Sequence, residues 1–197
     1  FPKTWQWNQK LTLEVATPEG IKSGSAVTHV SWQDVNALGH YIAKFSGEAT
    51  VVEIAPGRYL FALIGETSKY IAQYTFHDQF GISRADYRKL LPEIEKFRGT
   101  ADVPRARYPL LVTFADIADP KTIQKVDPDN LPASFGPGVS LKRIALEITD
   151  EKVTKGVIGK LLPWLNWSRE KLLASGGGRN PLKIPTESLD IPNFVWR

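Results

Sequence analysis

The chain of 197 residues has no cysteine and no methionine, and none of its apolar runs approaches the roughly 20 residues a helix needs to cross a bilayer. Without cysteine there is no disulfide, no thiol nucleophile and no thiolate metal site, and the redox compartment is left open. Histidine is scarce: His29, His40 and His77 are the whole complement. None of them makes the paired spacing of an HExxH metal helix. No GxSxG elbow surrounds a serine, and no GxGxxG opens a strand-helix unit. SGGGRN, at 175–180, carries glycines and Arg179 but lacks the Lys-Ser or Lys-Thr ending of a phosphate loop.

A strong charge of one sign is missing as well. Lysine and arginine number 25 against 21 acidic residues, and the surplus is spread, with 11 basic and 10 acidic side chains in residues 1–98. Nucleic-acid binding normally shows a basic patch or stripe, so nucleic acid is not an expected partner. The sequence starts at Phe1 rather than methionine, and the expectation is that further chain precedes it.

What the sequence does have is a hairpin of unusual strength. Val51, Val52 and Ile54 lead into Ala55-Pro56-Gly57-Arg58, and Tyr59 to Ile64 leads out. Proline presets the first central turn position and glycine accepts positive φ at the second, which specifies a type II turn. Alternation puts Tyr59, Phe61 and Leu63 on one face and Leu60, Ala62 and Ile64 on the other. Both faces are apolar, so this strand is expected to be central and covered on both sides.

Along the rest of the chain, Leu11, Leu13 and Val15 alternate with polar residues up to a break at Pro18-Glu19-Gly20, and a second strand is expected from Ser25 to Trp32. Residues 33–48 read as an excursion or short helix. Residues 68–80 fit a helix, with Tyr70, Tyr74 and His77 on one broad face, though their aromatics also suit a strand. A clearer helix follows, with Ser83 as N-cap, Asp86 as the capping-box carboxylate, Leu90, Leu91, Ile94 and Phe97 at helical spacing, and Gly99 as the terminating glycine. Pro92 predicts a kink or two abutting helices. Strands are expected at 109–114 and 140–149, and a helix or turn cluster at 157–165. The implied fold is α+β, a single domain with a largely antiparallel or mixed sheet of five to six main strands and two to three helices; a β-sandwich with helical insertions is the alternative. Residues 1–10 form a terminal or juxtamembrane segment, 11–174 the domain, and 175–197 a flexible loop and extended tail. Trp5 and Trp7 either pin the terminus to the core or lie at a membrane interface.

Between Asp116 and Val139 the chain holds Pro120, Pro128, Pro132 and Pro137 with Gly136 and Gly138, which predicts an ordered surface excursion, with an edge strand near 122–126. Asp116, Asp119, Asp127 and Asp129, with Asn130, are the densest acidic set; turn-forming roles for them stand against a metal site. His77 beside Asp78 is the most suggestive base candidate, though helical neighbours point in different directions. Trp164 and Trp167 either bury a helical face or form a partner patch. No residue carries a catalytic, cofactor-binding or metal-ligating assignment, and no cofactor is implied.

WNQKLTLEVATPEG, GEATVVEIAPGRYLFALIG and YPLLVTFADIADPKTIQKVDPDNLPASFGPGVSLKRIALEITDE together resemble a group of bacterial envelope proteins in which a membrane segment precedes a soluble domain. The resemblance covers most of Trp7 to Trp167, is most distinctive from Asp127 to Leu141, and brings no established activity with it. It implies a periplasmic or otherwise extracytoplasmic location, with an inner-membrane anchor before Phe1. The expected function is an interaction or accessory domain that is not catalytic, with a protein partner on the excursion between Asp116 and Val139 or at Trp164 and Trp167. The alternative is a hydrolase whose site assembles in space around His77 or the acidic loop from Asp116 to Asp129.

Overall fold

The computed structural model describes residues 2–35, 39–166, 183–184, 187–188 and 194–196. The strands are β1 (Thr4–Thr17), β2 (Gly20–Asp34), β3 (Tyr41–Glu48), β4 (Thr50–Ala55), β5 (Arg58–Ala62), β6 (Gly99–Asp102), β7 (Leu111–Phe114), β8 (Ile123–Lys125), β9 (Ser140–Thr149), β10 (Lys183–Ile184), β11 (Glu187–Ser188) and β12 (Val195–Trp196). The helices are α1 (Ile71–Phe80), α2 (Tyr87–Lys96), α3 (Pro132–Phe135) and α4 (Val157–Leu161). The fold is α+β and mostly strand: an antiparallel six-stranded sheet, β12-β3-β2-β1-β9-β6, and a four-stranded one, β4-β5-β7-β8. β10 and β11 pair as a separate short ribbon.

The long β1-β2 hairpin organises the larger sheet. A two-residue turn, Pro18-Glu19, joins strands that pair continuously from Thr17 opposite Gly20 to Thr4 opposite Gln33. Trp5, Trp7, Gln9, Leu13 and Val15 are buried on one face of β1, while Thr4, Gln6, Asn8, Lys10 and Glu14 lie on the wetter face. The two N-terminal tryptophans thus pack into the core, 7% and 4% exposed, within a strand whose register begins at Thr4.

The inner face of this sheet meets α1 and α2 through Phe76, Leu90, Leu91 and Ile94, and meets one face of the smaller sheet through Val52, Ile54, Leu60, Ala62 and Ile64. Phe61, Leu63, Val112 and Phe114 point the other way and are covered by Ile158, Leu162, Trp164 and Phe194. β5 is therefore interior and apolar on both faces, as its composition requires. Its hairpin partner β4 is a margin of the smaller sheet, covered on its face by β1 and β2. Gly57 in the connecting turn has φ 73°, the value that turn demands of its second central residue.

Three local expectations are corrected. Residues 41–48 are strand β3, paired with β2 from His29 opposite Ser46 to Asp34 opposite Tyr41, rather than an excursion or short helix. The N-cap of α2 is Asp86, whose carboxylate accepts from Lys89 N at 3.3 Å; Ser83 instead shapes the preceding turn, accepting from Ala85 N. Gly99 does not end this helix but opens β6, and its missing side chain makes room for the Phe97 ring, which a Cβ would meet at 2.6 Å. That ring packs on Phe76 and Phe80. Pro92 sits inside a single ten-residue helix.

Candidate functional site

The excursion after β7 is a surface feature with buried pins. Pro120, Ile123, Val126, Leu131 and Val139 are buried, while Asp116, Lys121, Gln124, Lys125, Asp127, Asp129, Asn130, Ala133 and Pro137 are exposed. β8 is its edge strand, paired with β7 from Val112 opposite Lys125 to Phe114 opposite Ile123. Its aspartates shape the backbone: Asp116 accepts from Ala118 N, Asp119 from Lys121 N and Asp127 from Asp129 N, each at 2.9 Å. Thr122 Oγ1 donates to the carbonyls of Asp116 and Asp119, closing the first turn.

Three side chains from elsewhere hold the excursion in place. Arg105 donates to Asp129 from one edge of its guanidinium, Nε to Oδ1 at 3.3 Å and Nη2 to Oδ2 at 2.6 Å, and that partner raises the arginine's pKa. Arg58, on the Pro-Gly turn of the central hairpin, donates to Ser134 O and lies 5.6 Å over the Phe135 ring. Trp164 is fully buried and its indole Nε1 donates to Ile117 O at 3.0 Å. Trp164 is thus a buried strut beneath the excursion; Trp167 lies outside the described residues, as does SGGGRN.

Among the described residues the ion-pair partner of His77 is Asp78, with Nδ1 3.1 Å from Oδ1, so the two neighbours do meet, at a well-exposed carboxylate. The aspartates of 116–129 are engaged in turns and with Arg105, and among the described residues no group of three or more His, Asp or Glu is placed to hold a metal ion.

Two of the clefts among the described residues bear on the site. The larger, about 1170 Å³, is bordered by Gly47, Glu48, Lys155, Gly156, Lys160 and Trp196. Sequence patterning gave no reason to single out Glu48, yet it is 6% exposed and its carboxylate accepts from the backbone N–H groups of Gly156, Val157 (3.0 Å) and Ile158 (3.2 Å). A five-residue helix such as α4 cannot stand on its own propensity, and this carboxylate satisfies its opening donors. Glu48→Ala should cost about 1.5–3 kcal/mol in urea unfolding, the worth of bonds to a charged acceptor, and Glu48→Gln less.

The second cleft, about 680 Å³, is polar and lined by Asn8, His29, Arg98, Asp150, Lys152 and Lys155 among others. His29 Nδ1 lies 2.8 Å from Asn8 Oδ1, and the Asn8 amide in turn donates to Glu151 O. Burial pushes the His29 imidazole below its ordinary pKa. A depressed folded-state pKa means that the stability this neutral ring supports is present above the unfolded value of about 6.5 and is lost as pH falls through that value toward the folded one. Melting temperature followed from pH 8 to 5 should therefore fall more steeply for the native chain than for His29→Gln, on the order of that pKa difference.

No family model, no curated protein and no solved structure matches this chain. Among the described residues no helix is long and apolar enough to cross a membrane.

Proposed function

We propose that this chain is a non-catalytic interaction domain that works outside the cytoplasm, tethered through a segment before Phe1, and that it captures a protein partner on the excursion between Asp116 and Val139. The observation that carries this reading is the pairing of an exposed, polar surface with a rigid footing: Trp164, Arg58 and Arg105 hold three separate points of the excursion from beneath and beside it. A loop already fixed in one shape loses little conformational entropy when a partner arrives, which favours binding. The long loop has the expected form of a functional one, with short elements and buried pins rather than free chain. The resemblance to envelope proteins supports the location. The hydrolase reading has less support, since among the described residues the ion-pair partner of His77 is the exposed Asp78, and the loop aspartates already serve the backbone.

The test is photo-crosslinking in the native cell from single exposed positions. A crosslinker at Gln124, Asn130 or Ala133 should give one discrete adduct, and the same group at Lys152, on the loop after β9, should give none. Adducts from Lys152 alone, or from no position, would refute the proposal.

A further inference from the structure

Away from the excursion's tip and from both clefts, Tyr74 is clamped by two arginines. The guanidinium carbon of Arg107 lies 3.7 Å from the ring centroid and that of Arg84 4.4 Å. Tyr74 is half-buried in α1; Arg84 comes from the loop between α1 and α2, and Arg107 from the tight turn Arg105–Arg107. Both guanidiniums stand on one ring, so their central carbons are at most about 8.1 Å apart, the two distances laid end to end.

Three other arginines among the described residues pair with carboxylates: Arg98 with Asp150, Arg105 with Asp129, and Arg143 with Glu14 and Asp102. Among the described residues Arg84 and Arg107 have no carboxylate partner, and both are exposed. A guanidinium 3.7 Å from a ring centroid lies against the face of the ring, which leaves its in-plane N–H edge free to donate. The ring's electron-rich faces offset part of the repulsion between the two cations, and a bound anion would offset the rest. Nearby, Tyr87 at the start of α2 packs its ring on Trp32 and Tyr41.

We propose that Arg84 and Arg107, held on the Tyr74 ring, form a binding site for a phosphate group. Planar forked donors match phosphate oxygens, and two of them from separate segments can grip one phosphate between them. The phosphate can belong to a soluble ion or to a lipid headgroup, and the two sources separate in the experiment.

The whole chain is titrated with inorganic phosphate by calorimetry, and in a second arm floated with phosphatidylcholine vesicles with and without phosphatidic acid. The native chain should bind at least one probe. Arg84→Gln combined with Arg107→Gln should weaken that binding about tenfold or more, while Lys152→Gln combined with Lys155→Gln, which removes the same charge elsewhere, should change it less than about twofold. Tyr74→Phe keeps the clamp and should bind as the native chain does; Tyr74→Leu keeps both charges, releases them and should bind several-fold less, on the order expected for lost preorganisation. Binding in the calorimetric arm alone marks a soluble phosphate, and binding in the vesicle arm a headgroup. No binding by the native chain in either arm, or equal losses in the two double variants, would overturn the site. Circular dichroism on each variant confirms that the fold is retained.

Discussion

Replacing Trp164 with alanine should lower the unfolding free energy by about 3–5 kcal/mol, the range for truncating a large buried aromatic residue. At this chain length that corresponds to a fall of roughly 6–20 °C in melting temperature. The side chain is fully buried, and its ring centroid is 5.7 Å from that of Phe114 and 5.6 Å from that of Phe194. Removing it therefore opens a cavity in the layer that covers Phe61 and Val112 on the outer face of the smaller sheet. Trp164→Phe keeps much of that volume but leaves Ile117 O without its donor, and should cost about 1–3 kcal/mol. Thermal and urea unfolding measure both. A loss below about 1 kcal/mol for the alanine variant would mean that this layer is not packed as described.

Gly24→Val should be nearly as damaging, at about 3 kcal/mol or more, because the site has no room for any side chain. A Cβ at Gly24 would lie 2.0 Å from Val51 O and 2.9 Å from Val52 Cβ, and the nearest obstacle is backbone that cannot rotate away. Here β2 of the larger sheet crosses β4 of the smaller one, so relief requires the two sheets to separate. Gly57→Ala provides the contrast. Its Cβ meets nothing within 4 Å, and only the positive φ of 73° opposes it, so its cost should be about 1–2 kcal/mol. If the two substitutions cost the same, the close approach of the sheets is wrong.

Much of the sheet structure was legible in the sequence, for a local reason. In β9 Ile144, Leu146 and Ile148 are buried with Arg143 and Glu147 wetter beside them, and in β5 the run Leu60, Phe61 and Ala62 is apolar and buried; period two and two-sided burial leave a record in a single strand. The excursion was legible too, because proline, glycine and aspartate impose turns wherever they fall. β3 was not, since its apolar residues are broken by Lys44, Ser46 and Gly47, and its pairing is owed to β2 lying beside it. Gly47 shows why: its place is set by Thr28, whose Cγ2 a Cβ would meet at 2.6 Å, a contact made across the sheet. The same limit hid Glu48. Its three donors lie more than a hundred residues away, and nothing in its own neighbourhood marks it as a cap. Asp86 displaced Ser83 as the cap of α2 because either residue type can serve, and the choice rests on where the packed face of Leu90, Leu91 and Ile94 meets β1. The Tyr74 clamp joins α1 to the turn at 105–107, and no spacing rule within one element could have shown it.

The proposed capture surface depends on residues 116–139 holding one shape before any partner arrives, and amide hydrogen exchange on the free chain measures that directly. Ala115, Thr122, Val126, Ser134 and Phe135 each donate to a backbone carbonyl, so their amides should exchange at least about a hundredfold more slowly than in an unstructured chain. Exchange at the unstructured rate through 116–139, with β1 and β9 still protected, would contradict it.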